Sequence, residues 1–298
     1  MKIKIILITL VCIVMAPNPI SAQKTKKKDI AVQLYSVKDR IGSFVKSDYD
    51  KDYTSTFNEL VQMGYTAVEA TGYGDGKFYN RTPEDFKKDV EAAGLRLLSS
   101  HCAKLLKKEE LASGDFSVSL KWWDECIAAH KAAGILYIVT PWIGKPKTAK
   151  ELEIYTNYLN EIGKKCKANG IKYGYHNHSH EFSKIEGKMM MDYLIENTDP
   201  EHVFFEMDVY WVVMSKNSPV DYFNKYPGRF SLLHIRDHRE IGQSGMVGFD
   251  AILRNAERAG VKHIIVELEQ VTNTMEEALK ISVDYLLDAP FVKASYSK

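Results

Sequence analysis

The chain has 298 residues, 45% of them hydrophobic and 27% charged, with 40 basic against 39 acidic residues and a formal net charge of +1. That is the balance of a soluble globular protein long enough to bury a sizeable core, as one large α/β domain or two small ones. The strong basic bias of a nucleic-acid binder is absent.

The chain opens with MKIKIILITLVCIVMAPNPISAQ, a short basic start, an apolar run from Ile5 to Ala16 and a small-residue exit at Ala22. This pattern predicts a secretory signal peptide over residues 1–22 and places the mature protein in the periplasm or medium of a bacterium. The apolar run is shorter than the ~20 residues a bilayer span needs, so no stable membrane insertion is expected once the segment is removed. A retained anchor is the alternative. Residues 23–28, with the basic KTKKK of Lys24 to Lys28, read as a solvated tether. Cys102, Cys126 and Cys166 follow; three is odd, and their spacing matches no disulfide framework or zinc motif.

Short apolar runs then alternate with helical patterns. Strands are expected at Asp29–Ser36, Tyr65–Ala70, Leu95–Cys102, Ile135–Thr140, Ile171–His178, Val203–Val209, Phe230–Asp237 and His263–Glu269. Their starts recur every ~25–40 residues, room for one crossover helix each. The spacing predicts helices over Thr54–Gly64, Thr82–Gly94 and Phe249–Gly260, among others, with Thr82 as a cap and Pro83 in the first turn. Gly64, Gly94, Gly134, Gly170 and Gly260 each stand between a helix and the next strand, the place of a left-handed cap. Eight such units without a linker predict an α/β fold, a single (β/α)8 TIM barrel over residues 29–298. An open doubly wound sheet is the runner-up. No Gly-rich dinucleotide fingerprint follows the first strand, and no phosphate loop is present.

In such barrels the C-terminal strand ends form the active face. Here those ends carry Gln33 and Tyr35, Glu69, His101, then Pro141 and Trp142. The fifth strand runs into YHNHSHEF with His176, His178, His180 and Glu181, and the sixth into Glu206, Asp208, Tyr210 and Trp211. The last two bring His234, Arg236 and Asp237, then Glu267 and Glu269. A lone strand-end histidine is more often structural than functional. Ionisable residues are costly to bury, and four consecutive strands delivering them to one end point to a functional cluster. Alternation puts His176, His178 and His180 on one face if the strand stays regular that far.

The set AVQLYSV, GYHNHSHEF, MDVYW, LHIRD and IIVELE, in this order, resembles the sugar phosphate isomerase/epimerase family with a xylose isomerase-like TIM barrel. The resemblance covers the chain from Asp29 to about Leu287 and implies one divalent metal ion, Mn²⁺ by preference, with Zn²⁺, Co²⁺ or Fe²⁺ also suited to the donors. Carried over, its ligands are Asp208, His234 and Glu267, with Glu269 a weaker claimant. On the fifth strand the family's glutamate falls at His176, so either His176 is the fourth ligand or Glu181 reaches back; His176 is favoured. The resemblance also gives His178 as a catalytic histidine.

An open divalent ion acidifies the C–H next to a sugar carbonyl. The expected activity is therefore a metal-dependent isomerase or epimerase acting by proton abstraction on a neutral sugar or keto-sugar. His178 and Glu267 would move protons and Arg236 would clamp an oxyanion. Gln33, Glu69, His101, Trp142, Trp211 and Glu181 are expected to contact substrate. The closest alternative is a keto-glycoside lyase or hydrolase working by β-elimination. A non-catalytic sugar-binding barrel is more remote, and near-neutral charge argues against an apurinic endonuclease of the same fold. The expected partner is a small carbohydrate, with oligomers possible and no nucleic acid.

Overall fold

The computed structural model describes residues 27–42 and 49–297; the expected signal peptide and all but the last two residues of the expected tether lie outside them. Eight parallel strands close into a barrel: β1 Ala31–Gln33, β2 Ala67–Ala70, β3 Arg96–His101, β4 Tyr137–Thr140, β5 Lys172–His176, β6 Val203–Asp208, β7 Phe230–Ile235 and β8 His263–Val266. Each pairs with its sequence neighbours, and β1 closes on β8 through Ala31 opposite Ile265. Helices cover the outside, and the five glycines expected to cap them all have positive φ.

Two cores follow from the period of two along each strand. Outward residues pack under the helices as one large cluster. Inside the barrel a smaller apolar layer holds Ala31, Ala67, Leu98, Tyr137, Val139, Phe204, Leu232 and Ile265. Strand β5 contributes Gly174 at this level, where a Cβ would stand 2.5 Å from the Phe204 ring, so only glycine leaves room for it. Two residues further along six of the strands the lining turns polar. Ala31 gives way to Gln33, Ala67 to Glu69, Gly174 to His176, Phe204 to Glu206, Leu232 to His234, and Ile265 to Glu267.

The strands are shorter than expected, and two differences bear on the site. Strand β5 stops at His176, so His178 lies in a loop and His180 in a 3-10 turn, His180–Phe182; the three histidines do not share a strand face. The ladder ends there because side chains take over the backbone groups. Asn177 Oδ1 accepts from the Asp208 amide at 3.2 Å, and Glu181 accepts from the His178 amide at 2.8 Å. Strand β6 ends in a short helix, Val209–Met214, whose N-cap is Asp208, so Tyr210 and Trp211 are helical. At the chain's start Lys28 is not a solvated tether residue: its Nζ donates to the carbonyls of Leu286 and Ala289, where the helix Met275–Asp288 ends. No described helix is long and apolar enough to cross a membrane.

Candidate metal centre and cavity

The polar layer at the C-terminal ends of the strands is almost wholly buried: Glu69, Glu206, Asp208 and His234 are fully enclosed, and His176 and Glu267 nearly so. One ligand atom each from His176, Asp208, His234 and Glu267 lies within 4.8 Å of the others. Cross-strand register explains the meeting, because Asp208 stands opposite His234 in the ladder. Asp208 Oδ1 caps its helix by accepting from the Trp211 amide at 2.9 Å, while Oδ2, equally buried, has no hydrogen-bond partner. His234 Nδ1 lies 3.3 Å from Glu267 Oε2.

Charge makes this layer poorly satisfied by itself. Burial pushes the Asp208 carboxyl up to about 7 against the pull of Arg236. Burial, with Glu69 beside it, brings Glu206 to about 7 as well. Glu267 goes the other way: burial is outweighed by His234 and Arg236, which hold it at about 2. Burial and the neighbouring imidazoles keep His176 well below the usual histidine range. A carboxyl near protonation with an orphaned buried oxygen, an ionised carboxylate and a neutral imidazole at one point fit a divalent cation. Two imidazoles with two carboxylates suit Mn²⁺, Zn²⁺, Co²⁺ or Fe²⁺.

A cavity of about 220 Å³ opens above this set. Its polar lining includes His101, His176, His178, Glu267 and Glu269, and its aromatic lining Tyr35 and Trp142. Burial, partly offset by Glu267, lowers His178 to about 4, so its imidazole is neutral at pH 7, and its Nδ1 has no partner. The Trp142 ring lies 6.1 Å from that of His178 and 4.4 Å from that of His180.

The remaining expected contacts are engaged elsewhere. Glu181, expected against substrate or metal, points inward: Oε1 accepts from the Tyr175 hydroxyl at 2.6 Å and Oε2 from the His178 amide. Gln33 and Glu69 are bonded to each other at 2.7 Å beneath the cavity, and neither lines it. Trp211 packs under the Arg236 guanidinium, 4.8 Å from ring centre to Cζ, and does not line the cavity either. Arg236 is no free oxyanion clamp, because its two terminal nitrogens bond Glu269 at 3.2 and 2.8 Å. That fork also carries Glu269 away from the donor set, where Glu267 stands instead. The sequence by itself assigns Glu206 no role. Its one legible signal is its place two residues before Asp208, on the same strand face.

Comparison with known proteins agrees with the fold. The sequence model of the xylose isomerase-like TIM barrel family matches residues 57–289. A sugar phosphate isomerase/epimerase from Parabacteroides distasonis ATCC 8503, known from its crystal structure, superimposes with a TM-score of 0.81 at 34% identity, over 94% of this chain and 100% of its own. The inosose dehydratase of Lacticaseibacillus casei is 26% identical over 266 residues, 76% of this chain and 87% of its own. The IolI protein, crystallised with a bound zinc atom, has the same fold with a TM-score of 0.65 at 14% identity, over 87% of this chain and 97% of its own.

Proposed function

The chain belongs to the xylose isomerase-like TIM barrel family, and from that premise we propose that it is a metal-dependent enzyme abstracting a proton next to the carbonyl of a neutral sugar or keto-sugar. The observation that carries this is the buried set His176, Asp208, His234 and Glu267 beneath a cavity that also exposes a neutral imidazole, His178. A divalent ion held by those four residues would polarise the carbonyl and acidify the adjacent C–H. His178 is the base: its ring is unprotonated at neutral pH and its Nδ1 is uncommitted. Trp142 offers an aromatic face for the sugar's C–H surface. The deprotonated carbon would be reprotonated elsewhere in an isomerase or epimerase, and the similar Parabacteroides protein is a sugar phosphate isomerase/epimerase. No phosphate loop occurs in the sequence, which favours an unphosphorylated substrate.

Elimination is the second reading, and one observation favours it. Epimerisation needs acid–base groups on both faces of a carbon. Here the uncommitted base is one histidine, and the fifth strand supplies His176 where a second carboxylate would stand. Expulsion of a β-leaving group, water or an aglycone, needs only one base, and the L. casei relative is a dehydratase. Export belongs to the same proposal, resting on the pattern of residues 1–22.

The test is incubation of the metal-loaded protein with keto-sugars and keto-glycosides in deuterium oxide. Deuterium at the carbon next to the carbonyl, or expulsion of a β-leaving group, is expected, and the absence of both with every substrate would remove the proposal. Release of aglycone or loss of water selects the lyase, whereas epimers or positional isomers alone select the isomerase.

A further inference from the structure

Two ladders of the barrel slip register at a single step. Between β2 and β3 the slip falls between Val68 and Glu69, and between β6 and β7 it falls between Phe205 and Glu206. Each slip immediately precedes a fully buried glutamate. Such irregularities re-aim the next side chain and mark designed positions in a sheet.

The two carboxylates reach the imidazoles of the donor set from the side away from Glu267. Glu206 Oε2 lies 3.2 Å from His176 Nδ1 and 2.7 Å from His101 Nε2. Glu69 Oε1 lies 2.7 Å from His234 Nε2 and accepts from Gln33 Nε2, also at 2.7 Å. With an ion in the donor set, the ring nitrogen at hydrogen-bond distance from Glu206 or Glu69 keeps its proton and donates it, and the opposite nitrogen takes the ion. The opposite nitrogens are His176 Nε2 and His234 Nδ1, and the latter stands 3.3 Å from Glu267 Oε2, a fellow member of that set.

We propose that Glu206 and Glu69 are positioning residues that lock opposite tautomers in two neighbouring histidines, so that the metal is taken by Nε2 of His176 and by Nδ1 of His234. A carboxylate on the far nitrogen of a ligating imidazole fixes the ring's orientation and raises its basicity. Glu206 faces the far nitrogen of His176, Glu69 is the nearer of two carboxylates at His234 Nε2, where Glu206 Oε2 also stands at 3.3 Å, and Glu206 ties His101, which lines the cavity, to His176. The inference rests on the metal reading given above. The N···O separations are hydrogen-bond lengths, so the carboxylates reach the rings directly; ligand atoms of Glu206, His101, His176 and His234 also lie within 4.8 Å of one another, and an ion held there would appear as a second ion per chain.

The test compares wild type with Glu206→Gln and Glu69→Gln by chelator competition for Mn²⁺ and Zn²⁺, with metal stoichiometry and apo-protein thermal unfolding. One ion per wild-type chain is expected, with affinity ~10–100-fold weaker in each variant and the apo variants still folding cooperatively. In the Zn²⁺-loaded protein, ¹⁵N chemical shifts of the imidazoles are expected to report metal on Nε2 of His176 and Nδ1 of His234. Unchanged affinity, or metal on the opposite nitrogens, overturns the inference while leaving the metal reading intact. Two ions in wild type and one in Glu206→Gln would make Glu206 a ligand and also overturn it. A wild type that binds no metal overturns the metal reading as well.

Discussion

Glu181 holds His178 by its backbone: the His178 amide donates to Glu181 Oε2 at 2.8 Å while Glu181 Oε1 accepts from Tyr175 at 2.6 Å. A fully buried carboxylate thus ties the end of β5 to the loop bearing the proposed base. Replacing Glu181 by Ala leaves the Tyr175 hydroxyl and the His178 amide unpaired, at ~1–3 kcal/mol each, measurable by urea unfolding. Burial raises the Glu181 carboxyl to about 7, above its unfolded value of 4.5. The native state therefore binds more protons than the unfolded state in that window, and stability falls as pH rises from 4.5 to 7. Glu181→Gln should flatten that part of the pH–stability curve.

His178→Gln should slow exchange of the proton next to the carbonyl by ~10²–10⁴-fold and leave bound metal unchanged, read by deuterium incorporation and metal analysis. Burial holds His178 at about 4, so the ring remains a base at all higher pH. The single-turnover rate of the fully metal-loaded enzyme should stay flat from pH 7 to 5. A half-maximum near 6.5 would count against the assignment.

Metal uptake should be steeply pH-dependent. Asp208 is pushed up to about 7 by burial, and a cation must displace its proton. Apparent affinity should fall ~10-fold per unit below pH 7 if one proton is released, and calorimetry in buffers of different ionisation enthalpy counts that proton. Asp208→Asn should abolish the dependence together with most of the affinity.

Arg236→Lys should be damaging although it keeps the charge. The guanidinium bonds both oxygens of Glu269, lies 3.5 Å from Glu267 and stacks over Trp211. Lysine loses the fork and the stacking. A loss of ~1–2 kcal/mol is expected from the weakened charge-assisted bonds. Substrate KM should rise more than kcat falls, because Glu269, which lines the cavity, loses its anchor.

The barrel and the face that carries its chemistry were legible in the sequence. Apolar runs a strand long, five of the eight preceded by a helix ending in glycine, admit few architectures, and period two places Glu69, His176, His234 and Glu267 above an apolar layer. The resemblance those motifs carry also implied the group His176, Asp208, His234 and Glu267, whose ligand atoms do converge. The direction of side chains at the strand ends was not legible. It depends on where each ladder stops and slips, and cross-strand hydrogen bonds decide that. Asn177 and Glu181 end β5 two residues early and so part His178 from His176. The slip before Glu206 brings its carboxylate between two imidazoles from β3 and β5. Composition and periodicity determined which residues come to the mouth of this barrel; only long-range pairing decided which of them face the cavity and which face each other, because a buried charge goes wherever a partner can reach it.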